Sequence, residues 1–389
     1  MRIAYTGFVD YPSSAANSQR MRGIATALEQ RGHTVIIGSA RRRRAETDDG
    51  IPYIALSESP SPAWPRIRRV ARGLWAGDRT IEWLDALPER PDVVLLYGTS
   101  YAYLRRLLAW TRRHGIPLVI DLVEWYEPAH LAGGRWGLHA HLNRRAMKLA
   151  ERADGLLAIS GFLAEHYASP RLPVQVVPPL MTDPASERPL PPDGALRLSY
   201  VGNPARKDAA TICNLARLPD ALGARRSSVR ISIAGTSERA LAAAGVSSVP
   251  PELEILGVLP RDRALELVQR SDFTVLQRPD ARFAHAGFPT KVVESLWLGT
   301  PVMTNLTSDL RRHLTDGENA IVLADDTFEA LLAGVTRALS LPARLDSAAI
   351  RERAVVEFAT SAHAESIEAL LLDVLARVPA NGESDDVVP

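Results

Sequence analysis

The residues with the clearest chemical purpose lie in residues 283–305, FAHAGFPTKVVESLWLGTPVMTN. Gly287 lets the backbone approach a ligand closely, and Pro289 suits the start of a helix. A helix is predicted from Thr290 to Leu298, with Gly299 as its stop. Its free N–H groups and its dipole form an anion site. Lys291 adds a cation in the first turn, where a positive charge is unfavourable for the helix itself, so its placement points to a bound anion. Glu294, one turn on, could accept two hydrogen bonds from a vicinal diol such as a ribose. A second segment, YVGNPARKD at residues 200–208, ends a strand at Gly202 and puts Arg206 and Lys207 in the following loop. Their natural partner is a diphosphate, held bidentately by Arg and as a point charge by Lys.

These groups need a scaffold that brings strand ends together. Short apolar runs alternate with helical patterns along all 389 residues. Strands are predicted at residues 2–6, 34–37, 93–97, 117–121, 155–159 and 174–177, and after a break at 198–201, 229–234, 253–256, 273–276, 301–304 and 320–323. Strands this short and apolar, separated by helices, indicate parallel sheets buried on both faces. The break, residues 183–195, lies in a stretch with four prolines and no periodicity and reads as a linker. The fold class is therefore α/β: two Rossmann-like, doubly wound domains, residues 1–182 and 196–348, with the ligand expected in the cleft that their strand ends face. Residues 349–377 read as closing helices and residues 378–389 as a loose tail.

Composition narrows the function. Hydrophobic residues make up 46% and charged residues 23%, the balance of a globular protein rather than a disordered chain or a fibre. No apolar run is long enough to span a membrane, and the N-terminus lacks the apolar core of a signal peptide, so a cytoplasmic protein is expected. The single Cys213 excludes a disulfide framework or a thiolate-rich zinc site. His139 and His141 lack a neighbouring carboxylate or thiol, so no metal is expected. The first turn, GFVDYPSSAANSQR, has no G-x-G-x-x-G, and no Walker lysine motif occurs. Nicotinamide, flavin and P-loop chemistry drop out. Residues 1–185 hold 24 Lys and Arg against 18 Asp and Glu, whereas the remainder holds 22 against 27, so the first half is the one suited to an anionic partner.

The motifs resemble those of family 4 glycosyltransferases. Tyr200-Val201-Gly202 with Lys207, Ile233-Ala234-Gly235, Leu256-Gly257-Val258, Gly287-Phe288-Pro289-Thr290-Lys291 to Glu294, and Leu298-Gly299-Thr300-Pro301-Val302 follow that family's order. The N-terminal half is similar through Arg31-Gly32-His33-Thr34-Val35, Ala153-Asp154, Ile159-Ser160 and Val177-Pro178-Pro179. The resemblance implies a GT-B fold and retaining transfer of a sugar from a nucleoside-diphosphate sugar, with uracil favoured as the base and guanine possible. It implies that Arg206 and Lys207 hold the diphosphate, that Glu294 binds the ribose, and that the backbone at Gly287, Phe288 and Pro289 meets phosphate and sugar. It places Leu259 near the base. No cofactor or metal is then required, because two cations and a helix start can stabilise the departing diphosphate.

Two departures from the family stand out. Ala286 occupies the position of the first of two glutamates commonly set eight residues apart, with His285 beside it as a substitute. Val123 occupies the position of a histidine after an N-terminal strand, leaving Asp121 and Glu124 to orient an acceptor hydroxyl. Phe8 and Asn17, in the loop after the first strand, are expected to touch donor phosphate or acceptor. In WPRIRRVARGLW, residues 64–75, apolar positions recur at helical spacing while Arg66, Arg68, Arg69 and Arg72 fill the other faces, the pattern of a helix lying on an anionic membrane. No nucleic-acid partner is expected, since these arginines lack an aromatic stacking platform. A sugar-nucleotide 2-epimerase of the same architecture, a secondary-metabolite glycosyltransferase and a non-enzymatic two-domain binding protein remain open alternatives.

Overall fold

The computed structural model describes the chain except residues 42–49, 60–75, 132, 183–193, 203–208, 244–245, 247 and 378–389. Arg206, Lys207 and the arginines at 66, 68, 69 and 72 therefore lie outside the described residues. The chain forms two compact units, Met1–Thr182 with Thr360–Pro389, and Asp183–Ala359.

The first unit is built on a sheet of seven parallel strands: β1 (Arg2–Gly7), β2 (Thr34–Ser39), β3 (Tyr53–Ala55), β4 (Val93–Tyr97), β5 (Leu118–Leu122), β6 (Gly155–Ala158) and β7 (Val174–Val176), in the order β3-β2-β1-β4-β5-β6-β7. β4 and β5 are apolar runs whose residues are almost all buried, as strands covered by helices on both faces must be. The three-residue β3 is an addition to the predicted strands. Its residues are half-buried or exposed at the sheet edge, so it carries no apolar run to betray it. The helix Ala16–Gln30 turns Met21, Ile24, Ala25 and Leu28 into the core, where they join Ile3, Tyr5, Ile37 and Leu95. Full burial of each large aliphatic side chain contributes roughly 1.5–3 kcal/mol.

The second sheet has six parallel strands: β8 (Leu196–Val201), β9 (Val229–Ala234), β10 (Leu253–Ile255), β11 (Phe273–Leu276), β12 (Val302–Asn305) and β13 (Ala320–Leu323), in the order β10-β9-β8-β11-β12-β13. Each sheet reverses its winding beside its first strand, between β1 and β4 and between β8 and β11. Ligands of such sheets bind outside the carboxyl ends of the strands at that reversal.

The closing helices do not act as one cap. Ser347–Phe358 packs on the helix Thr290–Trp297 of the second unit. The chain extends at Ala359, and the last helix, Thr360–Arg377, then packs on Ala16–Gln30, β6 and β7 of the first unit. Its buried stripe of Ala364, Ile367, Leu370, Leu371 and Val374 completes the first core. Polar ties add specificity: Gln30 Nε2 donates to Thr360 Oγ1 at 2.9 Å, and Glu368 meets Arg31 at 2.7 Å and His33 at 2.9 Å.

Candidate active site

In the second unit, the helix Thr290–Trp297 starts after Pro289 with no side-chain cap. Its first-turn Lys291 extends to the carboxyl end of β8. There Lys291 Nζ donates to the Tyr200 hydroxyl at 3.0 Å and lies 4.8 Å from the Tyr200 ring centroid. Gly202 follows at φ 137, and a Cβ there would collide with the Lys291 chain. The backbone conformation favours glycine here, and any side chain would also have to push the flexible end of Lys291 aside. An uncapped helix start and an ammonium group at one strand end can together hold a diphosphate.

Glu294 is one turn further in, with Oε1 accepting from Arg261 at 2.8 Å. Arg261 begins the helix Arg261–Gln269 just after Leu259, so the structure brings Leu259, Arg261 and Glu294 into one neighbourhood. Sequence reasoning missed Arg261. The signal was available, since a cation at a Pro-led helix start is the same anomaly that singled out Lys291. Arg278 was also missed. It is buried, and its Nη1 donates to the Gly287 carbonyl and to Thr307 Oγ1, both at 3.2 Å. It therefore positions the Gly287–Pro289 backbone. Phe288 turns its ring into the core against His313 and Phe358, leaving only its backbone for a ligand. Ala286 is fully buried and offers no functional group, whereas His285 Nε2 lies 2.6 Å from Oδ1 of the exposed Asp280.

In the first unit, a cavity of about 570 Å³ opens at the carboxyl ends of β4 and β5 beside the start of the helix Ala16–Gln30. Asn17, Tyr97, Thr99, Glu124, Tyr126 and Asn143 supply its polar side chains. Phe8 is exposed but does not line it. Tyr126 shares a hydrogen bond with Glu124, and its phenol is pushed well above the ordinary value by burial and then by the Glu124 charge. Burial likewise raises Tyr97, with the Asp121 charge adding to it and the Arg20 charge opposing it.

Asp121 has to be reassigned. It is fully buried, and both carboxylate oxygens are engaged: Arg20 Nε donates to Oδ1 at 2.8 Å and to Oδ2 at 3.0 Å, and the Tyr5 hydroxyl donates to Oδ2 at 2.6 Å. Arg20, itself buried, also donates through Nη1 to the carbonyls of Val177 and Pro178 at 2.9 and 3.2 Å. A carboxylate spent on a buried guanidinium cannot orient an acceptor, so Asp121 is structural. Glu124, exposed at the cavity, stays a candidate.

Among the described residues, no three His, Cys, Asp or Glu side chains come together as a metal site, and no helix is long and apolar enough to cross a membrane. A second cavity, about 280 Å³, opens at the opposite, amino-terminal edge of the second sheet, by Leu196, Asp272 and Pro301, away from these groups.

Comparison with known proteins decides the family. The pattern of Glycosyltransferase Family 4 matches residues 18–180, and that of Glycosyl transferases group 1 matches residues 195–340. The chain is a family 4-type GT-B glycosyltransferase. Among solved structures, this glycosyltransferase is similar to sucrose-phosphate synthase from Thermosynechococcus elongatus, with TM-score 0.71, 15% identity, and coverage of 97% of this chain and 99% of that one. The catalytic domain of starch synthase IV from Arabidopsis thaliana, bound to ADP and acarbose, gives TM-score 0.72 at 11% identity, with coverage of 97% and 100%. Anabaena HepE, in complex with UDP and glucose, gives 0.65 at 13% identity, again covering 97% and 100%. No curated protein matches the sequence.

Proposed function

We propose that this glycosyltransferase moves a sugar from a nucleoside-diphosphate sugar, UDP in preference to GDP, to an acceptor hydroxyl with retention at the anomeric carbon. The observation that carries the reading is the uncapped start of Thr290–Trp297, with Lys291 laid against Tyr200 and Gly202 at the end of β8. When the anomeric C–O bond breaks, negative charge develops on the departing diphosphate. N–H groups and cations already in place stabilise that charge without reorganisation, which is why no metal is called for. Arg206 and Lys207, which follow Gly202 in the sequence, are assigned to the same diphosphate. Glu294 receives the ribose, at an energetic cost in its bond to Arg261 unless both contacts are kept. His285 is assigned to the donor sugar in place of the missing glutamate at position 286. The UDP and glucose of the Anabaena structure and the ADP of starch synthase IV support a nucleoside-diphosphate sugar as donor and make adenine a third base to test.

In the first unit, Glu124 is assigned to orient the acceptor hydroxyl in the 570 Å³ cavity. The acceptor itself is taken to be lipid-linked or a glycan intermediate, with the protein peripheral to an anionic membrane, a reading supported by the arginine-rich residues 64–75.

A thermal-shift panel of UDP, GDP, ADP, dTDP and CMP, with and without a divalent metal, tests the donor reading. A ligand that binds only the folded protein must raise its melting point. One diphosphate is expected to do so regardless of metal. No shift with any of them would overturn the anion site. The epimerase alternative predicts interconversion of the donor with no acceptor present, which product analysis would reveal.

A further inference from the structure

A third feature lies outside both sites. The helix Tyr101–His114 carries Arg105, Arg106, Arg112 and Arg113 with no acidic residue, and the helix Leu138–Ala150 carries Arg144, Arg145 and Lys148, also with none. The two helices pack side by side on the first sheet. Arg145 crosses over Tyr101, with its guanidinium carbon 5.0 Å from the ring centroid, and Arg112 Nη2 meets the carbonyl of Arg152 at 3.4 Å. Their outer surfaces therefore form one continuous face.

Exposure and ion pairing define that face. In the second helix Ala140, Ala146, Met147 and Ala150 point inward, while Leu138, His141, Arg145 and Lys148 recur at intervals of three or four along the exposed side. Arg106 is paired with Asp78 at 2.5 Å. Among the described residues, no carboxylate lies within ion-pair distance of Arg105, Arg113, Arg144, Arg145 or Lys148; Arg112 feels the charge of Asp154, and Glu151 stands just past the second helix. At the start of this helix, Trp136 is 87% exposed and Leu138 57% exposed, with the Arg135 guanidinium 5.1 Å from the Trp136 ring.

Five exposed cations without an ion-pair partner, on two helices that carry no acidic residue, have a Coulombic reason to meet an anionic surface. An indole and a leucine held out in water beside them have a hydrophobic reason to enter a bilayer interface. Nucleic acid would account for the cations but not for the exposed leucine. We propose that the face formed by Tyr101–His114 and Leu138–Ala150 docks this protein on an anionic lipid bilayer, with Trp136 and Leu138 inserted at headgroup level. This deepens the membrane-proximal acceptor reading, because Tyr126 and Asn143 of the first-unit cavity lie on the same loop and helix as the anchor.

The test is co-sedimentation of the full chain with phosphatidylglycerol–phosphatidylcholine vesicles against pure phosphatidylcholine vesicles. Binding is expected to the anionic vesicles only, and to fall with added salt. Each basic residue near such a surface strengthens partitioning about fivefold, so the triple variant R144Q/R145Q/K148Q should lose about a hundredfold. The variant W136A/L138A should weaken binding while keeping its salt dependence. Four results overturn the proposal: no binding to anionic vesicles; binding unchanged in both variants; retention on heparin without vesicle binding; or loss only when Arg66, Arg68, Arg69 and Arg72 are replaced. Nucleotide-induced melting shifts, measured on the same variants, should stay at wild-type size. Their absence alongside intact vesicle binding would sink the donor reading alone.

Discussion

The reassignment of Asp121 makes a sharp prediction. Asp121→Asn keeps the shape of the side chain but strands the Arg20 guanidinium in the core, where it is 4% exposed and otherwise held by two backbone carbonyls. Removing one partner of a buried ion pair costs about 3–5 kcal/mol, because the remaining charge is left uncompensated. For a folding unit of roughly 200 residues, each kcal/mol moves the melting point by about 2–4 °C. The transition of the first unit, followed by circular dichroism, should therefore fall by about 6–20 °C. Arg20→Met should do the same from the other side, leaving Asp121 with only the Tyr5 hydroxyl. The double variant R20M/D121L should be less destabilised than the two single losses added together, since it buries no orphan charge. The opposite pattern would refute the reasoning: Asp121→Asn melting as wild type while turnover disappears would return Asp121 to the substrate.

Lys291→Ala should weaken diphosphate binding by about 10- to 150-fold, the worth of one hydrogen bond to a charged group, in nucleotide titration calorimetry; unchanged affinity would remove Lys291 from the site. Gly155→Ala would bring a Cβ within 2.7 Å of Val374 in the last helix. It should cost about 1–3 kcal/mol in urea unfolding, and a neutral result would mean that this helix is not packed as described. Burial raises the phenols of Tyr5, Tyr97, Tyr103, Tyr126 and Tyr167 above the ordinary value near 10. Because their folded values exceed the unfolded one, their contribution to stability is complete below about pH 10 and is lost as pH rises beyond it. Phenolate absorbance from these five should consequently appear together with alkaline unfolding; titration of all tyrosines near pH 10 in a folded chain would contradict the burial.

Much of this was legible along the chain because parallel strands buried on both faces must be short apolar runs. β4, β9, β11 and β13 occupy their predicted residues. Edge strand β3 was invisible for the converse reason, since a half-exposed strand of three residues has no pattern. Lys291 stood out along the chain because a cation in the first turn of a helix conflicts with local preference, and the structure adds that it reaches Tyr200 at the end of β8. Arg261 carries the same mark, but its meaning depends on reaching Glu294, 33 positions away.

By itself, then, the sequence determined the α/β class, the two parallel sheets and a helix start after Pro289, all properties of local period and residue type. Only the tertiary structure decided which charged groups are spent on one another. Asp121 and Glu124 stand three residues apart and look alike as letters. β5 carries the first against Arg20 and Tyr5 in the core, and its exit carries the second to the cavity. The tertiary structure also sent the last helix back to the first unit and laid two acid-free helices side by side. Such partnerships join residues far apart in the chain, and a charge becomes structural or available according to the partner that folding brings within reach.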